Sequence, residues 1–210
     1  MEKNGKVIDV IRGQIENASM GALFFNNSFP EYDDEYVGKV LADLTRQKVL
    51  HRLSRGVYLK AQQTKFGLVY PTTEEIAKAI AERDNAEVLP TGSAALNMLG
   101  LSTQVPMNPV YLTSGSARKI KCGNKTISFK HGVPKNFAVR GQTTRLLVQA
   151  MKAIGERNLT DDYLNGIATI LYKYPETDTM GHDLTVMPSW IKRTLLKIIK
   201  ENHHEKVAES

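Results

Sequence analysis

The chain of 210 residues carries 28 Lys and Arg against 22 Asp and Glu, for a formal net charge of +6, with a hydrophobic fraction of 41% and one cysteine. That length holds one large domain or two small ones, and no run of about 18 apolar residues is present to cross a membrane. A lone Cys122 excludes an internal disulfide and a cysteine-rich zinc site, and the opening MEKNGKVIDVIRG lacks the apolar core of a signal peptide, so a cytoplasmic protein with no membrane partner is expected.

Residues 6–16 are predicted helical, with Val7, Val10, Ile11 and Ile15 on one face. Residues 19–27, with Gly21 and an apolar Leu-Phe-Phe, read as a strand or turn. Pro30 and the acidic Asp33-Asp34-Glu35 suit a helix N-terminus, where negative charge meets the macrodipole. The helix then runs from about residue 33 to 47, with Val37, Val40, Leu41 and Leu44 inward and Tyr36, Lys39, Ala42, Asp43 and Arg46 outward. Residues 49–60 read as two short strands, Val57 and Leu59 alternating against Tyr58 and Lys60. Their turn is Ser54-Arg55-Gly56, where glycine admits a positive φ.

A short helix followed by a basic hairpin has the shape of a winged helix-turn-helix. Candidate DNA-contacting side chains are Tyr36, Lys39, Arg46, Lys48, His51, Arg52, Arg55 and Lys60. Arginines on both sides of the turn place guanidinium groups at a protruding tip, within reach of phosphates or a minor groove. A solvated hairpin is the simpler reading of the strands alone; the ordered pair of helix and hairpin favours nucleic acid.

A connector follows, and Gln62-Gln63-Thr64 marks the expected boundary between a domain at 1–62 and another at 63–210. Residues 73–83 form a helix with an acidic first turn and Ile76 and Ile80 at i, i+4. Thr91 or Ser93 caps a short helix holding Ala94, Leu96 and Leu99 and ending near Gly100. Residues 109–113 read as a strand. ARKIKCGNKTISFKH alternates apolar and basic residues about Gly123-Asn124, a hairpin with Ile120, Cys122, Ile127 and Phe129 inward. Residues 143–154, 161–174 and 189–202 show helical periodicity. The expected fold class is α+β: an N-terminal winged helix-turn-helix and a C-terminal α/β domain with a small sheet and several helices.

Charge is concentrated. Residues 39–60 carry 6 basic and 1 acidic side chains, and residues 117–145 carry 8 basic and no acidic ones. Two basic blocks in an otherwise acidic chain indicate two polyanion-facing surfaces. The second comprises Arg118, Lys119, Lys121, Lys125, Lys130, Lys135, Arg140 and Arg145. These cations should repel one another unless they serve an anionic partner; simple solvation of an outward hairpin face is the alternative.

Catalytic patterns are weak. Gly115 through Thr126 does not supply the spacing of a phosphate-binding loop, and Gly123-Asn124-Lys125-Thr126 is more simply a turn. His182-Asp183 resembles the HD pair of metal phosphohydrolases, but His131, His203 and His204 do not complete a ligand set. A metal-dependent nuclease needs convergent carboxylates, and only Glu87 stands as a stray candidate near the second block. No catalytic residue, metal or cofactor is expected.

Three stretches carry a family likeness: GKVLADLTRQKVLHRLSRGVYLK; TGSAALNMLGLSTQVP followed by PVYLTSGSARKIKCGNKTISFKH; and, more generally, the helical C-terminal part. With them the chain resembles the AbiEi-type antitoxins of type IV toxin–antitoxin (abortive infection) systems, whose winged-helix signature RLSRGVY closely matches. The resemblance covers about residues 5–140 well and the rest loosely. It implies a repressor–antitoxin. The resemblance implies that the wing binds inverted repeats in double-stranded promoter DNA, and that the C-terminal domain opposes a nucleotidyltransferase toxin without a stable complex. In that scheme the second basic block engages RNA or the toxin's substrate. Asp43 on the recognition face repels phosphate unless Lys39 or Arg46 pairs with it. The alternative is a two-domain nucleic-acid-processing enzyme of nuclease-like fold, targeted by its winged helix.

Overall fold

The computed structural model describes residues 2–208, with side chains described for residues 7–201; the side chains of His203 and His204 lie outside the described residues. The protein is mixed α+β. Its first part runs α1 (Glu2–Asn17), β1 (Leu23–Phe24), a 3-10 turn (Asn26–Ser28), α2 (Asp34–Arg46), β2 (His51–Ser54), β3 (Val57–Leu59), β4 (Gln62–Thr64), β5 (Gly67–Val69) and α3 (Thr73–Asp84). There follow β6 (Val88–Pro90), α4 (Gly92–Met98), β7 (Val110–Thr113), β8 (Arg118–Cys122), β9 (Lys125–His131), α5 (Gln142–Ile154), α6 (Asp161–Lys173), α7 (Thr177–Val186) and α8 (Ser189–Ala208). Two compact units divide the chain: Met1–Ala86 with Arg118–Ile127, and Glu87–Ala117 with Ser128–Ser210. The expected boundary at 62/63 falls within β4, inside the first unit, and the hairpin tip at 118–127 clusters there too. Among the described residues no helix is long and apolar enough to cross a membrane.

In the first unit, α2 starts where Asp33 turns its carboxylate to accept from Glu35 N at 3.0 Å and Tyr36 N at 2.9 Å. Its Val37, Val40, Leu41 and Leu44 pack with Ile11 and Ile15 of α1, Phe29, Leu50 and Tyr58 in one core. Ile11, Ile15, Leu41 and Leu44 are at most 1% exposed, so each contributes about 1.5–3 kcal/mol of transfer free energy. Val10, expected on this face, is exposed. It sits one helical step, about 100°, from Ile11 and so falls on the flank of the stripe.

β1, β3 and β2 form an antiparallel sheet in that order. The central strand β3 is buried along its whole length, and Tyr58, expected outward beside Lys60, joins the core against α1 and α2. β4 and β5 make a separate hairpin, Gln62 opposite Val69, where the sequence suggests only a connector. Polar Gln62-Gln63-Thr64 gives no alternating apolar signal. α3 is fixed by a capping box, Thr72 Oγ1 accepting from Glu75 N at 3.1 Å and Glu75 Oε2 accepting from Thr72 N at 2.7 Å.

In the second unit β7 pairs antiparallel with β6 and parallel with β9, Val110 opposite Ser128 and Thr113 opposite His131. Leu147, Val148 and Met151 of α5 pack with Ile167, Ile170 and Leu171 of α6 and with Ile191, Leu195 and Ile198 of α8. α7 gives only a weak sequence signal: Met180 and Leu184 pack against the core of this unit, polar residues make up most of the rest, and its one buried residue is Asp183. That residue and Glu176 organise the start of α5, whose N-cap Gly141 has no side chain to offer. Asp183 accepts from Arg140 N at 2.8 Å and Gly141 N at 2.9 Å, and Glu176 accepts from Thr143 N at 2.8 Å and Thr144 N at 2.9 Å. Any Cβ at Gly141 would collide with the Glu176 carboxylate, so this close approach requires glycine. Burial opposes ionisation of both carboxyls. The donated N–H bonds, with His182 Nδ1 beside Asp183, outweigh it and hold both below the ordinary carboxylate range.

Candidate nucleic-acid interface

The outer face of α2 is polar but internally paired. Lys39 lies 2.8 Å from Glu35 one turn back, and Arg46 pairs with Asp43. The Glu35 contact, by hydrogen bond and by charge, raises the Lys39 pKa. Asp43 is therefore neutralised by Arg46 rather than facing a phosphate alone. Both pairs are solvent-exposed and weak, so a phosphate can compete for either cation. Tyr36 is half-buried against the α1–α2 core.

The β2–β3 hairpin reverses at Arg55-Gly56, with Gly56 at φ +70, the left-handed conformation the turn needs. A bulge between Arg52 and Ser54 breaks the register, and Arg52 Nε donates to Ser54 O at 3.2 Å. Both Arg52 and Arg55 are exposed. Lys60 is placed otherwise. Its ammonium donates to Glu16 O at 2.6 Å and Ala18 O at 2.7 Å, capping the C-terminus of α1, so it is committed to backbone and not presented to a ligand.

A cleft of about 450 Å³ in the first unit is lined by Thr45, Lys48, Leu50, His51, Arg52, Leu53, Tyr70, Lys121 and Gly123. Among the described residues three formal cations and a histidine line it, and no acid does. Lys48 follows α2 at φ +62, an unusual conformation for a lysine, with its N–H bonded to Thr45 O at 3.0 Å. Lys121 comes from β8, one strand of the second basic block. Glycine at 123 lets Tyr70 approach: a Cβ there would stand 3.2 Å from the Tyr70 ring. Tyr70 and Thr45 were not marked by the sequence, and only the fold brings them to these cations.

The second basic block is thus divided. Arg118, Lys119, Lys121 and Lys125 belong to the first unit, and Lys130, Lys135, Arg140 and Arg145 to the second. Acids from outside the block neutralise two of them. Asp84 lies 2.7 Å from both Arg118 and Arg83, and Glu87 lies 2.7 Å from Arg145. Lys119, Lys121, Lys130, Lys135 and Arg140 are exposed, while Lys125 is half-buried.

Glu87, the stray carboxylate, is engaged by Arg145. The His182-Asp183 pair directs its carboxylate at backbone N–H groups. Among the described residues no three His, Cys, Asp or Glu side chains are grouped to hold a metal. Cys122 is buried, and burial raises its thiol pKa.

A family model described as "Family of unknown function (DUF6088)" matches residues 10–179, and the chain belongs to that family. No curated protein matches the chain.

Proposed function

We propose that this member of DUF6088 is a DNA-binding autorepressor that also acts as the antitoxin of a type IV operon. The observation that carries the reading is the cleft lined by Lys48, His51, Arg52 and Lys121 and by no described acid, with Arg55 exposed at the turn of the same hairpin as Arg52. Cations gathered without acids around the β2–β3 hairpin suit the phosphates of double-stranded promoter DNA. The first unit is then a winged helix-turn-helix, with α2 as recognition helix and β2–β3 as wing. The element order from α1 to β3 and the sheet order β1-β3-β2 support it, as does the likeness of RLSRGVY to the AbiEi-type signature.

The second unit, a small sheet with several helices, is read as the α/β antitoxin domain. Its exposed Lys130, Lys135 and Arg140 face RNA or the substrate of a nucleotidyltransferase toxin. No catalytic group and no cofactor takes part. The reading expects a nucleotidyltransferase gene beside this one, and the test places the region upstream of the gene before a reporter and co-expresses that nucleotidyltransferase. Full-length protein should repress the reporter and restore growth. Arg52→Ala with Arg55→Ala should lift repression and leave protection; Lys130→Glu with Lys135→Glu and Arg140→Glu should do the reverse. Folded variants that lose both activities together, or neither, contradict the reading.

A further inference from the structure

The β4–β5 hairpin ends in Thr64-Lys65-Phe66-Gly67, and Phe66 is 89% exposed. A single exposed apolar side chain is ordinary; the setting of this one is not. Thr64 Oγ1 donates to Gly67 O at 2.9 Å and accepts from Phe66 N at 3.2 Å, while Gly67 takes φ +112. The ring is therefore held out on a fixed turn rather than a slack loop. Lys65 Nζ stands 5.0 Å from the ring centroid, so a cation and an aromatic face share the tip. Along residues 44–73, which include both hairpins, there are 6 Lys or Arg and no Asp or Glu; Arg46 pairs with Asp43 and Lys60 with backbone, and Lys48, Arg52, Arg55 and Lys65 are exposed. An apolar protein surface has no use for that charge. A nucleic acid has, because phosphates meet the cations while a base meets the ring.

We propose that the β4–β5 hairpin is a second DNA-contacting arm, in which Phe66 wedges between stacked base pairs from the minor groove and Lys65 holds the phosphate beside the opened step. The proposal rests on the reading of the first unit as a duplex-binding module and adds a bend to it. An apolar wedge unstacks one step and kinks the duplex toward the major groove. Loss of the stacked ring should weaken binding about five- to a hundredfold.

The experiment uses full-length protein, a duplex of the region upstream of its own gene labelled at both ends, and one strand of that region as a separate probe. Energy transfer between the labels reads the bend, and titration reads the affinity. Phe66→Ala should weaken duplex binding and straighten the duplex, with thermal unfolding unchanged because the ring packs against no core. Phe66→Leu, which keeps an apolar wedge, should retain most of the bend. Lys65→Ala should lower the slope of log K against log[salt] by about 1 and leave the bend. If the wild type binds but the duplex stays straight, or Phe66→Ala binds and bends it equally well, the arm is refuted while the duplex-binding reading stands. If the wild type binds no duplex, both fall. A loss confined to the single strand assigns the ring to unpaired bases and refutes the wedge.

Discussion

Replacing Asp183 by alanine should damage the second unit more than any single surface change. The carboxylate is fully buried and accepts from Arg140 N and Gly141 N. Removing it strands two N–H groups at the start of α5, one of them on the buried Gly141. Each bond to a charged acceptor is worth about 1.5–3 kcal/mol, and partial relief by water brings the expected total to about 3–5 kcal/mol. That is a large share of a typical folding stability of about 5–15 kcal/mol. Asp183→Asn keeps one accepting oxygen and should cost about half as much. The sign of the pH effect follows from the depressed folded-state pKa values of Asp183 and Glu176. Their stabilisation is fully present above the unfolded carboxylate pKa, near about 4, and is lost as pH falls through the folded values. The single Trp190, partly buried against the α5–α6–α8 core, reports unfolding of this unit by fluorescence. Urea titrations at neutral pH and along an acid series make the comparison. A cost below about 1 kcal/mol for Asp183→Ala, or an acid limb identical in wild type and Asp183→Asn, refutes the clamp.

Lys48→Gly should raise stability by about 1 kcal/mol, by relieving a left-handed lysine, yet weaken duplex binding; denaturation and salt-titrated binding on the same variant separate the two effects. Lys121→Ala should lower the salt slope of duplex binding by about 1 while Lys130→Ala leaves it unchanged, because only Lys121 lines the wing cleft. Lys60→Met should cost about 1 kcal/mol in a denaturant titration with no change of that slope, since its ammonium is committed to Glu16 O and Ala18 O.

Elements that carry their own signals were legible in the sequence. Asp33 announces the start of α2, the Val37–Leu44 stripe its buried face, and Gly56 and Gly123-Asn124 the two basic turns. Elements held by distant partners were not. α7 has only a short apolar stripe, Met180 and Leu184, and is held both by their packing and by Asp183 reaching α5, some 40 residues back in the chain. Tyr58 looks outward by strict alternation, but a strand between two others with helices packed on it buries both faces. The second basic block looked like one surface because local charge counting cannot see that Asp84 takes Arg118, Glu87 takes Arg145, and Lys121 joins Lys48 and Arg52. Lys60 reads as one more wing cation until its two backbone acceptors on α1 are seen.

The central claim is that the first unit binds duplex DNA through its wing, and a salt-dependent titration of the upstream duplex tests it most directly. Wild-type protein should bind with log K falling linearly with log[salt], and Arg52→Ala with Arg55→Ala should bind more weakly with a slope flatter by about 2. No duplex binding by the wild type, or a double variant with unchanged affinity and slope, contradicts the account.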